Sequence, residues 1–295
     1  MMAEIPTTIL KPGDEAALEA FLRPRMAASM FLLGNMRRSG LRDIGKPYGG
    51  TYAARVEGTE ITGVVAHYWN GMLIFQAPGF ENPLWRAAVR ASGRPVAGLI
   101  GPNAQVTVAK EALRIEDAGV QMDETETLYA LDLADLRVPD ALRAGRVVGR
   151  RIERGDLEML TAWAVAYNVE AIGAEESPEL WENRRTALER SVDEGDAWVL
   201  EHDGEPVAMS GFNTAIAEAV QVGGVYTPPA LRRRGYARCV VAASLLDARA
   251  EGAEQAILFT GKQNVPAQRA YEALGFRPIG DYRILILRDP MAPPV

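Results

Sequence analysis

Long apolar runs are missing from this 295-residue chain: nowhere do about 18 apolar residues follow one another, the length a bilayer-crossing helix needs. The opening Met1–Pro6 carries no basic stretch ahead of an apolar block, so no targeting signal is read; the expected location is cytoplasmic, with no membrane partner. The single cysteine, Cys239, excludes an internal disulfide framework and a cysteine-rich zinc site. With only His67 and His202 as imidazoles, no metal is expected. Positive charge is also short, 32 Lys and Arg against 39 Asp and Glu for a net −7. That balance disfavours a nucleic-acid partner, whose binding rests on clustered cations neutralising phosphates. What is present is ordinary: 48% hydrophobic and 24% charged residues, a globular composition with length for about two domains.

Between Leu136 and Gly145 the sequence carries Pro139, Asp140 and Gly145 without apolar periodicity, which places a boundary between residues 1–140 and 141–295. Beyond it, Arg146–Ile152 reads as a strand, and Asp156 caps a helix with Leu157, Leu160, Trp163 and Ala164 on one face. The N-terminal half opens the same way. Thr7–Leu10 is extended, and Gly13-Asp14 leads into Ala17, Leu18, Phe21 and Leu22. Hairpins follow in both halves, around Glu57-Gly58 and around Asp203-Gly204, which points to two copies of one fold. The C-terminal half continues as strand (219–226), helix (235–250), strand (255–260), helix (266–274) and strand (281–287), the alternation of a mixed α/β sheet flanked by helices.

The most informative segment follows the strand that ends Val225-Tyr226-Thr227. Pro228 and Pro229 break the ladder, and Arg232-Arg233-Arg234-Gly235-Tyr236-Ala237-Arg238 turns into a helix. A helix start offers unpartnered N–H groups and the positive end of the macrodipole, Gly235 lets a ligand approach the backbone, and arginines add charge-assisted bonds, so the segment suits a phosphate. An arginine run after two prolines is otherwise a solvated turn. Downstream, Asn264, Ala267, Tyr271, Gly275 and Phe276 lie on a short helix and its end, with Pro266 near the start.

Together these segments resemble the GNAT superfamily of acetyl-coenzyme-A-dependent N-acetyltransferases. The family's pyrophosphate signature, Gln or Arg, two residues, Gly, one residue, Gly or Ala, is matched by Arg232, Gly235 and Ala237; its second signature is matched by Asn264, Ala267, Tyr271, Gly275 and Phe276. The resemblance implies two GNAT-like domains in tandem, the second catalytic. It implies acetyl-coenzyme A as co-substrate and direct transfer of an acetyl or short acyl group to a primary amine on a small molecule or peptide, by a monomer or homodimer. Backbone groups of Val225, Tyr226 and Thr227 would meet the pantetheine arm, and the N–H groups of Arg233 to Arg238 the diphosphate. Asn264 would bond the pantetheine beside Ala267, and Tyr271 would protonate the departing thiolate, although an aromatic on an inner helix face is often only core. Glu170 and Glu218, with Glu176 behind them, are candidate bases.

The N-terminal half departs from the pattern. After the strand Met72–Gln76 comes Ala77-Pro78-Gly79-Phe80-Glu81, with no arginine, so this copy has lost the diphosphate grip while keeping Gly98–Asn103 as a strand-to-helix junction. Other phosphate binders fail on their own residues: Gly261-Lys262 is followed by Gln263 rather than Ser or Thr, and Ala208 stands where a nucleophile elbow around Ser210 needs glycine. The alternative is a catalytically inactive coenzyme-A-binding sensor or interaction module.

Overall fold

The computed structural model describes residues 7–79, 81–116 and 119–292; Met1–Pro6 and Phe80, which enter the reading above, lie outside them. The chain forms two compact units, Met1–Leu128 with Gly280–Val295, and Tyr129–Ile279. These bounds differ from a single cut between 140 and 141, for two physical reasons. Leu131, Leu133 and Leu136 seal the core of the second unit, so the connecting segment packs there. The last strand pairs inside the first unit.

The first series along the chain runs β1 (Thr7–Ile9), α1 (Glu15–Leu22), α2 (Met26–Ser39), β2 (Gly50–Glu57), β3 (Glu60–Tyr68), β4 (Met72–Gln76), α3 (Glu81–Ser92), β5 (Val96–Pro102), α4 (Asn103–Leu113) and β6 (Val120–Asp132). A short helix, α5 (Asp140–Arg143), leads to the second series. This runs β7 (Val148–Arg151), α6 (Leu157–Tyr167), α7 (Pro178–Glu194), β8 (Ala197–His202), β9 (Glu205–Ile216), β10 (Ala219–Tyr226), α8 (Tyr236–Ala250), β11 (Gln255–Gly261), α9 (Val265–Leu274) and β12 (Arg277–Met291). Both series have the same order: strand, two helices, three strands, helix, strand, helix, strand. The pairing repeats as well. β1 to β4 and β7 to β10 form antiparallel meanders, each closed by a parallel strand, β5 beside β4 and β11 beside β10. A parallel neighbour requires a crossover, supplied by α3 and α8.

In the first unit β12 pairs antiparallel with β5, Leu285 opposite Leu99. Phe75, Leu84, Trp85, Leu99, Val106 and Leu285 fill the core under α3 and α4. In the second unit, period-two alternation sorts side chains to two faces. Trp198, Ala208, Val220 and Val222 pack with Tyr236, Val240 and Leu245 of α8; Val199, Met209 and Tyr226 pack with Leu160 and Ala164 of α6. Among the described residues, no helix is long and apolar enough to cross a membrane, and no group of three His, Cys, Asp or Glu side chains could hold a metal ion.

Candidate functional site

In the second unit the geometry gathers at the C-terminal end of β10. Gly224 has φ +59, and the β9 register shifts between Gly223 and Tyr226, a bulge that reverses side-chain parity. Val220 and Val222 face α8, yet Tyr226, an even number of residues on, faces α6, where its ring lies 6.3 Å from that of Trp163. The meeting of Trp163 with Tyr226 and the bulge behind it escape a sequence reading; the Gly223-Gly224 pair was the available signal for the bulge.

The parallel ladder between β10 and β11 is short. Among the described residues it joins Ala219–Gln221 to Gln255–Ile257, while Val222–Tyr226 and Leu258–Gly261 run on without register partners across the gap. A Cβ built on Gly261 meets nothing within 4 Å, so the sheet face at the end of β11 is open there. Backbone groups facing such a gap need a polar partner, which an extended amide-bearing chain provides.

The loop then climbs into α8. Pro229–Leu231 makes a 3-10 turn, Arg233 takes a left-handed φ of +66 and Gly235 one of +81. No side chain caps the helix and its first turn holds no acidic residue. The first intrahelical bond is Cys239 N–H to Gly235 O at 3.1 Å, and among the described residues no acceptor bonds the N–H groups of Arg233 to Arg238. A run of unpartnered amides at a positive helix end is an anion receptor. Arg238 lies beside it: its Nη2 is 4.0 Å from where a Gly235 Cβ would stand, and its Nε is buried without a partner. Tyr236 is buried, with its hydroxyl 2.8 Å from His202 Nδ1, tying the first turn of α8 to the β8–β9 hairpin. Burial pushes the Cys239 thiol up, against the pull of Arg238, so the group behaves as a small hydrophobe.

The predicted site residues do not all stay together. Arg232 turns away from the open amides: its Nη1 and Nη2 donate to Glu170 Oε1 and Oε2 at 2.8 and 2.7 Å, and its Nε donates to Thr227 O at 2.9 Å. Its side chain is therefore a partner of Glu170 rather than a free phosphate ligand. The Arg232 guanidinium holds the Glu170 carboxyl below the usual carboxylate range, which disfavours Glu170 as a base at neutral pH. Glu218 is placed at the wrong end. It precedes β10, its carbonyl accepts from Glu254 and Gln255 N–H, and eight strand residues, about 26 Å, separate it from the loop. Glu176 accepts from Trp181 Nε1 at 3.0 Å.

Asn264 caps α9, its Oδ1 accepting from Ala267 N–H at 3.3 Å. Ala267 packs on the α8 core, and Tyr271 is buried in it with its ring 6.0 Å from Phe276, edge to face. Thr227 Oγ1 is buried without a hydrogen-bond partner.

In the first unit the corresponding segments carry contacts that the second does not show. Gly101 of β5 stands so close that a Cβ there would meet Phe75 Cβ at 2.9 Å, and Gln105 Oε1 takes the N–H of Ala77 at 2.7 Å. At the start of α3 the buried Glu81 accepts from Gly79 N–H at 3.0 Å. A carboxylate at a helix start disfavours a second anion there.

Residues 157–276 match the family model described as the acetyltransferase (GNAT) family. A search of curated proteins gives no significant match. Similar solved structures include a Drosophila protein, with 14% identity and TM-score 0.65 over 95% of this chain and 98% of that one. A GCN5-related N-acetyltransferase from Kribbella flavida aligns with 20% identity and TM-score 0.56 over 90% and 95%. A tandem GNAT protein from the clavulanic acid biosynthesis pathway aligns with 14% identity and TM-score 0.54 over 95% and 97%. At these identities the likeness is one of fold.

Proposed function

We propose that this chain, in which residues 157–276 form a GNAT-family acetyltransferase domain, moves an acetyl or short acyl group from acyl-coenzyme A to a primary amine of a small molecule or peptide by direct transfer. One observation carries the reading: the gap between β10 and β11 and the unpartnered amides at the start of α8 open at the same end of the same strand. A diphosphate joined to an extended amide-bearing arm fits that pair of features, and the first unit, where Gly101 stands against Phe75 and Glu81 takes the N–H of Gly79, serves as scaffold.

When bound, acyl-coenzyme A supplies an activated carbonyl and a thiolate leaving group. The protein's own groups do the rest. The N–H groups of Arg233 to Arg238 hold the diphosphate, with the guanidinium of Arg238 beside them and those of Arg233 and Arg234 at the solvent side. Backbone groups of Val225, Tyr226 and Thr227 orient the arm, Asn264 and Ala267 fix the start of α9, and Tyr271 delivers a proton from its hydroxyl to the sulfur, while the proton released by the acylated nitrogen passes to solvent water, from which the phenolate is reprotonated. The rings of Trp163 and Tyr226 give the acceptor an apolar wall.

The test mixes the protein with acetyl-coenzyme A and a panel of amines, follows free thiol, and measures cofactor binding separately. Amine-dependent thiol release supports the transferase. Tight binding without thiol release from any amine identifies a coenzyme-A sensor, and absence of binding removes both readings.

A further inference from the structure

We infer that the Glu170–Arg232 pair is a strut tying α6 to the cofactor loop, which makes Glu170 a positioning residue rather than the group that takes the amine's proton. The inference rests on the acyl-transfer reading of that loop. It begins with a π turn, Asn168–Ile172, that continues α6 directly and ends at Gly173 with φ +68. Such turns are rare and gather at functional sites, because they give up regular helical bonds and need outside support. Here the support comes from Glu170, near the turn's centre, whose two carboxylate oxygens both accept from Arg232.

The tie closes a ring of contacts through three segments. Trp163 on α6 meets the Tyr226 ring at the end of β10, the Arg232 guanidinium carbon lies 5.7 Å from the centre of that same ring, and Arg232 returns to Glu170 just beyond α6. Arg232 also anchors on Thr227 O, so the strut fixes the loop at both ends of its climb. A paired guanidinium and π-stacked cation of this kind need the planar fork of arginine. To act as a base, Glu170 would have to lose the charge that strengthens both of its bonds to Arg232, and its depressed pKa opposes that. Because the two side chains are 53% and 40% exposed, the tie is weak in energy and its consequence is alignment rather than stability.

The experiment compares wild type, Glu170→Gln, Arg232→Gln and the double variant in full-length protein. The first readout is hydrogen exchange of residues 167–173, and the second is the pH profile of kcat/KM with the best amine. A strut predicts that exchange of the π turn rises about two- to five-fold in each single variant and no further in the double variant. It also predicts that the ascending limb of the pH profile keeps its midpoint. Unchanged exchange in Glu170→Gln would overturn the strut. A fall in kcat of about 10²- to 10⁴-fold with loss of the ascending limb would restore Glu170 as the base. If wild type releases no thiol with any amine, the acyl-transfer reading fails, while the exchange measurement still decides whether the tie exists.

Discussion

Replacing Gly235 with valine separates the loop's binding role from its folding role. Gly235 has φ +81, and the only atom within 4 Å of a Cβ placed there is Arg238 Nη2 at 4.0 Å. No clash adds to the intrinsic cost of a left-handed non-glycine residue, about 1–2 kcal/mol. That cost should lower the melting temperature by only a few degrees. Binding is affected differently, because a branched side chain at this point stands between the open amides and the diphosphate. Hydrogen bonds to a charged group contribute about 1.5–3 kcal/mol each, so losing two weakens binding by about 10²- to 10⁴-fold. The matched control is Gly252→Val, at the far end of α8, also left-handed with φ +104 and with nothing within 4 Å of its Cβ. Isothermal titration with acetyl-coenzyme A, together with thermal melts, should give similar melting shifts for both variants and a binding loss for Gly235→Val alone. Wild-type affinity in Gly235→Val, or equal losses in the two, refutes the anion-receptor argument.

Tyr271→Phe is expected to lower turnover while acetyl-coenzyme A affinity measured by titration stays near wild type; unchanged turnover would leave Tyr271 as core packing alone. Gly101→Ala should destabilise the first unit, since its Cβ meets Phe75 Cβ at 2.9 Å, and leave cofactor affinity intact. Gly261→Ala, whose Cβ meets nothing within 4 Å, should leave stability near wild type, and the two are compared by denaturant midpoints and titration. His67 is fully buried against Ser92 Oγ at 2.7 Å, and burial, with the Arg94 charge, brings its pKa down to about 4. A depressed histidine pKa means the unfolded chain takes the proton first. Stability should therefore fall by about 3 kcal/mol as pH drops from about 6.5 to about 4, and urea midpoints of His67→Gln should lose that dependence.

Several elements of both units were legible residue by residue. The strand Met72–Gln76 and the strand Ala219–Tyr226 were read with the bounds the structure gives them, and α8 and α9 start within one residue of the readings at 235 and 266. These elements announce themselves through nearby residues, such as Pro228-Pro229 stopping a ladder, Gly235 at a left-handed helix entry and Gly275 at a left-handed helix end. The last strand was read too short, at 281–287 against Arg277–Met291, because its outer residues are exposed and lack the alternation that marks a strand. The weakest reading concerned the acids. Glu170 and Glu218 both precede β10 in the sequence, but strand direction puts Glu218 a full strand from the loop, while the turn after α6 brings the more distant Glu170 beside it.

The sequence by itself determined the alternation of strands and helices from 219 to 287, the matching openings and hairpins of the two halves, and the basic turn that opens a helix, since each depends on backbone preferences and spacing within a few neighbouring residues. Tertiary structure alone decided that β12 pairs with β5, that Gln105 and Glu81 close the first unit's copy of the site, that the bulge at Gly224 turns Tyr226 toward Trp163, and that Arg232 chooses Glu170. Those outcomes depend on partners far apart along the chain, whose pairing is settled only when burial and hydrogen bonding are satisfied together.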